Sequence, residues 1–333
     1  MKILITGGAG FIGHHFVEHI LKNTDWEISV LDSLNYASGG FDRLRDINVF
    51  DEKRVKIFTA DFTQPIPAGL EREIGEVDYI VHMGAETHVD NSIADPAPFI
   101  FSNVVGTMRI LDFARRRKNL KKLFYFSTDE VFGPAAAGVF YKEWDRYNSS
   151  NPYAASKAGG EELSLAYANT YKLPVVITHT MNVFGERQHP EKFIPKVIKK
   201  VMSGDVVLIH TDSNKEKAGS RFWIHARNVA SALFFLFDRA EIREKYNIVG
   251  EKEVDNLKMA QLIADTLGKE LKYELVDFHS SRPGHDLRYA LDGAKMKNLG
   301  WEPPMNFEES LTRTIKWNFL SPQNERWLYI DQR

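Results

Sequence analysis

Two carboxylates stand side by side in the run Ser127-Thr128-Asp129-Glu130-Val131-Phe132-Gly133, just after the apolar segment Leu123-Phe124-Tyr125-Phe126. That segment reads as a buried strand, and adjacent acids at its mouth are costly unless they do chemistry. Like charges in a low-dielectric site push their pKa values apart. One of the pair can then stay protonated while the other is ionised, which supplies a general acid and a general base at one pH. The other reading is a strand-end turn in which Asp129 caps a helix. Tyr153 and Lys157, in Tyr153-Ala154-Ala155-Ser156-Lys157, are four apart and share one face of a helix. A phenol is a poor base at neutral pH. A neighbouring ammonium, and any cationic ring bound beside it, favours the phenolate and is expected to pull the Tyr153 pKa down. Without other features the same pair describes a solvated helix face.

A second signature lies at the start of the chain. Thr6-Gly7-Gly8-Ala9-Gly10-Phe11-Ile12-Gly13 follows a strand pattern and opens a helix. Gly8, Gly10 and Gly13 match G-x-G-x-x-G, and Gly7 starts a G-x-x-G-x-x-G reading. The glycines permit a tight turn and close backbone approach to a pyrophosphate on the helix N-terminus. Asp32 ends the second strand, where a carboxylate accepts from both ribose hydroxyls and repels a 2′-phosphate; NAD is therefore expected over NADP. A cap or turn role is the alternative for Asp32. Asp61, after the third strand, suits either an adenine amino group or a turn.

These residues need a scaffold. Candidate strands are Lys2–Thr6, Glu27–Leu31, Val55–Thr59, Tyr79–His82, Lys122–Ser127 and Val175–Thr178, with helices over Phe11–Lys22, Pro98–Arg117 and Pro152–Lys172 between them. Strands apolar on both faces and separated by helices imply an α/β fold with a doubly wound parallel sheet, of Rossmann type. Residues 1–180 are expected to form the NAD-binding domain. Residues 181–333 are expected to form a smaller α/β lobe for the substrate, with segments interleaving. In the second part a polar loop is expected over Asn182–Pro190 and an exposed turn over Lys215–Ser220. Helices are expected over about Phe193–Ser203, Ala226–Arg239, Leu257–Gly268 and Phe307–Phe319, with several short strands among them.

Composition narrows the class. The chain has 333 residues, 43% hydrophobic and 26% charged, with a formal net charge of -2. A nucleic-acid footprint needs a clustered basic excess; the one basic cluster, Arg115-Arg116-Arg117-Lys118 with Lys121-Lys122, falls where a helix should end. The absence of cysteine excludes disulfides and fits a cytoplasmic setting. No signal peptide is expected, since the glycines come too soon, and no apolar run approaches the ~18 residues of a membrane helix. No zinc-type spacing occurs; His14 and His15 are expected to point to different sides of their helix.

The runs Thr6–Gly13, His82–Ser92, Ser127–Gly133, Tyr153–Lys157 and Arg282-Pro283-Gly284-His285-Asp286 together resemble the extended short-chain dehydrogenase/reductases. Within that group the chain resembles the nucleotide-sugar 4,6-dehydratases of the dTDP-glucose 4,6-dehydratase type, over nearly its whole length. The related epimerases tend to carry small or hydroxyl residues where this chain has Asp129-Glu130. The resemblance implies that Tyr153 takes the proton of the sugar 4-hydroxyl while the C4 hydride passes to NAD. Thr128 and Tyr153 polarise the ketone, Glu130 removes the C5 proton, Asp129 protonates the departing 6-hydroxyl, and the hydride returns at C6. Lys157 holds the nicotinamide ribose. It further implies cofactor contacts from Gly7, Gly10, Phe11, Ile12, Gly13, Asp32, Asp61, Phe62, Ala85, Tyr153 and Lys157. Contacts to a nucleotide-diphosphate sugar are implied for Thr87, Asn182, Lys192, Arg221, Asn256, Arg282 and His285, with Arg221 and Arg282 on the pyrophosphate.

The product implied is a 4-keto-6-deoxy sugar nucleotide, from dTDP-glucose or UDP-glucose. A 4-epimerase, an N-acetylhexosamine 4,6-dehydratase and a non-catalytic NAD-binding protein are the rivals. Relatives pair through the Tyr153 helix and the long helix before the Asp-Glu strand, which implies a homodimer; Ala154, Ala155, Ala158, Gly159 and Gly160 are small enough for close helix approach. There are departures from the pattern. His14 stands for a small polar residue, Gly84 for an alanine, Phe222 for the aspartate of Arg-Asp-Trp, and Asn91 for the arginine of many bacterial dTDP-glucose enzymes. The asparagine form is similar to UDP-glucose dehydratases.

Overall fold

The computed structural model describes residues 1–277 and 288–332. Its strands are β1 (Lys2–Thr6), β2 (Glu27–Asp32), β3 (Val55–Thr59), β4 (Tyr79–His82), β5 (Lys122–Thr128), β6 (Val175–Thr180), β7 (Asn182–Phe184), β8 (Val207–Thr211), β9 (Ser220–His225), β10 (Lys245–Ile248), β11 (Lys252–Asp255) and β12 (Tyr273–Asp277). Seven of them form one sheet in the order β3-β2-β1-β4-β5-β6-β10, and every pairing in it is parallel. Parallel strands need crossovers, and the helices Phe11–Asn23, Thr107–Arg115 and Pro152–Tyr171 supply them. The β1, β4, β5 and β6 runs are buried almost throughout because helices cover both faces.

The strand order reverses between β1 and β4, which opens a crevice at their carboxyl ends. Register keeps the neighbouring ends level: Thr6 lies opposite His82, and Thr128 opposite Thr180. The second half of the chain contributes β10 to the main sheet and the helix Ala226–Arg239 to its core, where Leu236 and Phe237 are buried. The remainder builds a three-stranded sheet β11-β9-β7 and a pair β12-β8, around a separate apolar cluster that includes Val197, Ile209, Met259 and Leu311.

Several sequence expectations change here. Asn182–Phe184, expected as loop, pairs parallel with β9, and β9 begins at Ser220, where a turn was expected. Three residues are too few for periodicity to show; pairing across the chain makes the strand. The long helix widens to a π turn over Phe101–Gly106, which turns Asn103 toward the β4 loop. Asn103 Nδ2 donates to Ser156 Oγ at 2.8 Å and to Glu86 O at 3.0 Å. Part of the basic cluster is taken up by ion pairs: Arg116 forks onto Glu71 at 2.9 Å, and Lys121 meets Asp78 at 3.0 Å; Lys122 Nζ instead donates to Phe237 O at 2.6 Å.

A buried polar triad lies below the Tyr153 helix. Glu161, on that helix, meets Lys245 Nζ at 2.9 Å and His179 Nε2 at 3.1 Å, all three almost fully buried. Burial pushes the Glu161 carboxyl up, but His179 and Lys245 hold it below the usual carboxylate range. His179 packs edge-on against Phe132, in the turn that carries the carboxylate pair. Removing one member of a buried pair strands the other charge. Glu161→Gln is expected to lower stability by about 3–5 kcal/mol in equilibrium denaturation; a loss below ~1 kcal/mol would show that the triad contributes little.

Candidate active site

β5 ends at Thr128, and the chain leaves it in a 3-10 turn over Asp129–Phe132. The turn stops at Gly133, whose φ of 76° is the left-handed conformation that glycine adopts without strain. The Thr128 hydroxyl accepts from Glu130 N at 3.4 Å, lies 3.0 Å from Asp129 Oδ1 and hydrogen-bonds the Tyr153 phenol. The helix Pro152–Tyr171 delivers Tyr153. Asn151 caps that helix by accepting from Ala154 N at 2.8 Å, and its Nδ2 donates to Glu130 Oε2 at 3.1 Å. One residue thus ties the turn that carries the carboxylates to the helix that carries Tyr153. Phenol, hydroxyl and both carboxyls converge on a single cleft of about 950 Å3.

Asp129 is buried, and its Oδ2 has no hydrogen-bond partner among the described residues. Burial, and then the Glu130 charge, push its carboxyl up to about 7, against the Thr128 hydrogen bond and the Arg221 charge. The environment therefore favours the protonated form of Asp129. Tyr153 runs against expectation. Burial and the Glu130 charge raise its phenol above the ordinary range, although Thr128 opposes the rise. The Lys157 ammonium does not pull it down, because Nζ donates to Phe126 O at 2.6 Å and sits over the Tyr125 ring. Burial brings Lys157 itself down to about 7. Spacing put both side chains on one helix face; the nearby carbonyl decided where the ammonium points.

The glycine-rich turn lies at the other end of the cleft. Gly7 has φ 71° and donates to Leu31 O at 2.9 Å. A Cβ on Gly13 would strike Gly7 O, so only glycine lets the helix Phe11–Asn23 start this close to β1. Gly10, Phe11, Ile12, Gly13, Asp32, Asp61, Phe62 and Ala85 all line the cleft. The residues fit a dinucleotide: a glycine cradle at a helix N-terminus, with a buried acid at the end of the next strand. Asp32 also shapes the turn, accepting from Ala9 N at 2.9 Å and Leu34 N at 2.8 Å. Each carboxylate oxygen keeps a further lone pair. Asp61 holds a local turn, with both oxygens on Thr63 at 2.8 Å.

Two departures have structural reasons. A Cβ at Gly84 would sit 2.5 Å from the Phe62 ring, so the ring takes the space of an alanine methyl. His14 is fully buried with Nδ1 3.1 Å from Gly10 O. Its ring lies 4.1 Å from that of His15, so the two do not part to opposite sides. The helix is packed by sheet and lobe alike, and both rings are enclosed. His15 reaches Glu186 O at 3.1 Å. Among the described residues no three metal-binding side chains converge.

Of the expected substrate residues, Thr87, Asn182 and Lys192 line the cleft. Asn182 Oδ1 is buried without a partner among the described residues. Arg221 and Asn256 are not in the lining. Arg221 stacks on Tyr289 at 4.8 Å, close enough to Asp129 to influence it. Asn256 starts a helix and donates its N–H to Gly219 O at 2.8 Å. Arg282 and His285 lie outside the described residues. The cleft also gathers residues that motif reading passed over: Asn35, Tyr36, Glu86, His189 and Glu191. Glu86 and Glu191 were visible as neighbours of Ala85 and Lys192; nothing local marks the others.

Similarity to known proteins follows the same lines. An Escherichia coli dTDP-glucose 4,6-dehydratase is 37% identical over 354 residues, covering 98% of this chain and 95% of its own length. The low-salt glycan biosynthesis protein Agl12 of Haloferax volcanii is 37% identical over 322 residues, covering 95% and 98%. Among solved structures, DesIV, a dTDP-glucose 4,6-dehydratase from Streptomyces venezuelae with NAD and TYD bound, superposes with a TM-score of 0.87. It is 36% identical, covering 96% of this chain and 97% of its own. A family model described as GDP-mannose 4,6 dehydratase matches residues 4–314, and with that match over nearly the whole length the chain belongs to this family.

Proposed function

We propose that this protein is an NAD-dependent hydro-lyase that converts a nucleotide-diphosphate hexose, dTDP-glucose or UDP-glucose, to the 4-keto-6-deoxy sugar. One observation carries the reading: Asp129, pushed up to about 7 beside Glu130, is joined through Thr128 to the Tyr153 phenol. When bound, NAD supplies a hydride acceptor for C4, a donor for C6 and a positive ring beside the phenol. That positive charge favours the phenolate, and in that form Tyr153 takes the 4-hydroxyl proton. The resulting ketone, held by Tyr153 and Thr128, acidifies C5–H. Glu130 receives that proton, and Asp129 gives its proton to the 6-hydroxyl, which leaves as water. Glu130 then returns a proton to C5. Asp129 must be reprotonated as Tyr153 loses its proton, so the net change is loss of one water.

Gly7, Gly10, Phe11, Ile12, Gly13 and Asp32 hold the dinucleotide in this reading, with Asp61, Phe62 and Ala85 at its borders and Lys157 at the nicotinamide ribose. Thr87, Asn182 and Lys192 serve the sugar nucleotide, with Arg221, Asn256, Arg282 and His285 proposed toward its diphosphate and base. Two copies pair through the helices around Phe101 and Tyr153, a face on which Ile100 and Phe101 are exposed. Residues 1–180 form the cofactor domain and later segments the substrate lobe, in a cytoplasmic enzyme that needs no disulfide.

Incubation with dTDP-glucose, UDP-glucose and GDP-mannose, with products read by mass spectrometry and ketone trapping, tests the reading. A ketone accompanied by loss of water is expected from dTDP-glucose or UDP-glucose; the same result from GDP-mannose alone would overturn the substrate choice. Inversion at C4 without water loss would instead make the enzyme an epimerase, and no reaction with any of the three would overturn the assignment.

A further inference from the structure

Three segments far apart in the chain meet over the cleft. The first follows β2 and carries Asn35 and Tyr36. The second follows β4 and carries Glu86, His88 and Asn91. The third enters the lobe with His189, Glu191 and Lys192. Asn35 Nδ2 donates to Glu86 Oε1 at 2.8 Å. Asn91 Nδ2 donates to the Tyr36 hydroxyl at 3.2 Å, and that hydroxyl hydrogen-bonds the Glu191 carboxylate. Glu191 is also approached by His88 at 3.7 Å, His189 at 3.6 Å and Lys192 at 3.5 Å.

The position of this chain of contacts is informative. Its two anchors on the main sheet lie on either side of β1, at the ends of β2 and β4, where the strand order reverses. A dinucleotide lies in the crevice at that point. The catalytic carboxylates stand beyond it, at the end of β5. The contacts therefore span the cofactor's end of the cleft and not the hexose. A redox-neutral elimination regenerates its cofactor within each turnover, so nothing in the chemistry requires the dinucleotide to leave.

We infer that Tyr36, Asn91 and Glu191 form a strap that retains the dinucleotide between turnovers, while the sugar nucleotide exchanges from the lobe side. The inference rests on the NAD-dependent reading above. The Tyr36 hydroxyl joins the Glu191 carboxylate to the neutral Asn91 amide, so removing that hydroxyl or that charge should speed release by about tenfold or more.

The test is the rate at which bound nicotinamide nucleotide leaves the full-length protein, followed by chase with labelled NAD. Tyr36→Phe keeps the ring and removes the shared hydroxyl. Glu191→Gln keeps the shape and removes the charge. Asn91→Ala is the third variant, should either of the others fail to fold. Release about tenfold faster or more in the folded variants, with a smaller change in KM for the sugar nucleotide, is expected. Release within twofold of the parent, or a KM change without faster release, overturns the strap and assigns these residues to the sugar side. A parent that neither carries nor binds NAD sinks the underlying reading instead.

Discussion

Glu130→Gln is expected to slow product formation by about 10³-fold, within the range for removing a general base. Oxidation at C4 should persist, because Tyr153, Thr128 and Lys157 keep their side chains and loss of the Glu130 charge, which raises the Tyr153 phenol, does not disfavour its phenolate. The amide is nearly isosteric and keeps an oxygen for Asn151 Nδ2, which donates to Glu130 at 3.1 Å, so the turn should hold its shape. What is lost is the proton acceptor for C5–H. Two readouts separate this from general damage. Nicotinamide absorbance on adding sugar nucleotide should still report oxidation, whereas exchange of the C5 hydrogen with deuterated solvent should fall with product formation. Full turnover in this variant would leave the carboxylate pair without a role and favour epimerisation.

Asp129→Asn should gain stability as it loses activity. The buried Asp129 carboxyl, raised to about 7 by burial and by Glu130, takes up its proton more readily in the folded chain than in the unfolded one, where it titrates near ~4. Such a group contributes stability that is complete below the unfolded pKa and is lost as pH rises through about 7. At pH 8 the native protein holds an ionised carboxylate in a desolvated place; the amide does not ionise. The variant is therefore expected to be more stable at pH 8 by on the order of 2–4 kcal/mol, with the difference shrinking toward pH 5. Elimination should fall about 10²- to 10³-fold, since no proton is offered to the 6-hydroxyl. The parent's activity should decline as pH rises above 7, when the acid loses its proton. Thermal melts of both proteins across this pH range decide the matter: parallel curves would mean that Asp129 titrates as an ordinary acid.

Much of the site was legible because its parts are local. Thr128, Asp129 and Glu130 are consecutive, Tyr153 and Lys157 are one helical turn apart, and the glycines fall in one turn. Backbone conformation alone brings such residues together. The strands of the main sheet were legible for a related reason: burial on both faces demands an unbroken apolar run, which is visible without knowing the partner. β7 was not, since three residues carry no period. Nor was the direction of the Lys157 ammonium, which depends on a carbonyl 31 residues away in sequence.

The amino-acid order by itself determined the layered α/β scaffold, the glycine-rich turn and the pair of adjacent carboxylates at the mouth of β5, because each follows from neighbours within a few residues. Tertiary structure alone decided the rest. It buried Asp129 deeply enough to hold its proton, and it raised the Tyr153 phenol where spacing suggested lowering. It also brought Tyr36 to Asn91 across 55 residues. Desolvation and long-range contact depend on which loops cross the carboxyl edge of the sheet, and that crossing exists only once the chain has closed over its core.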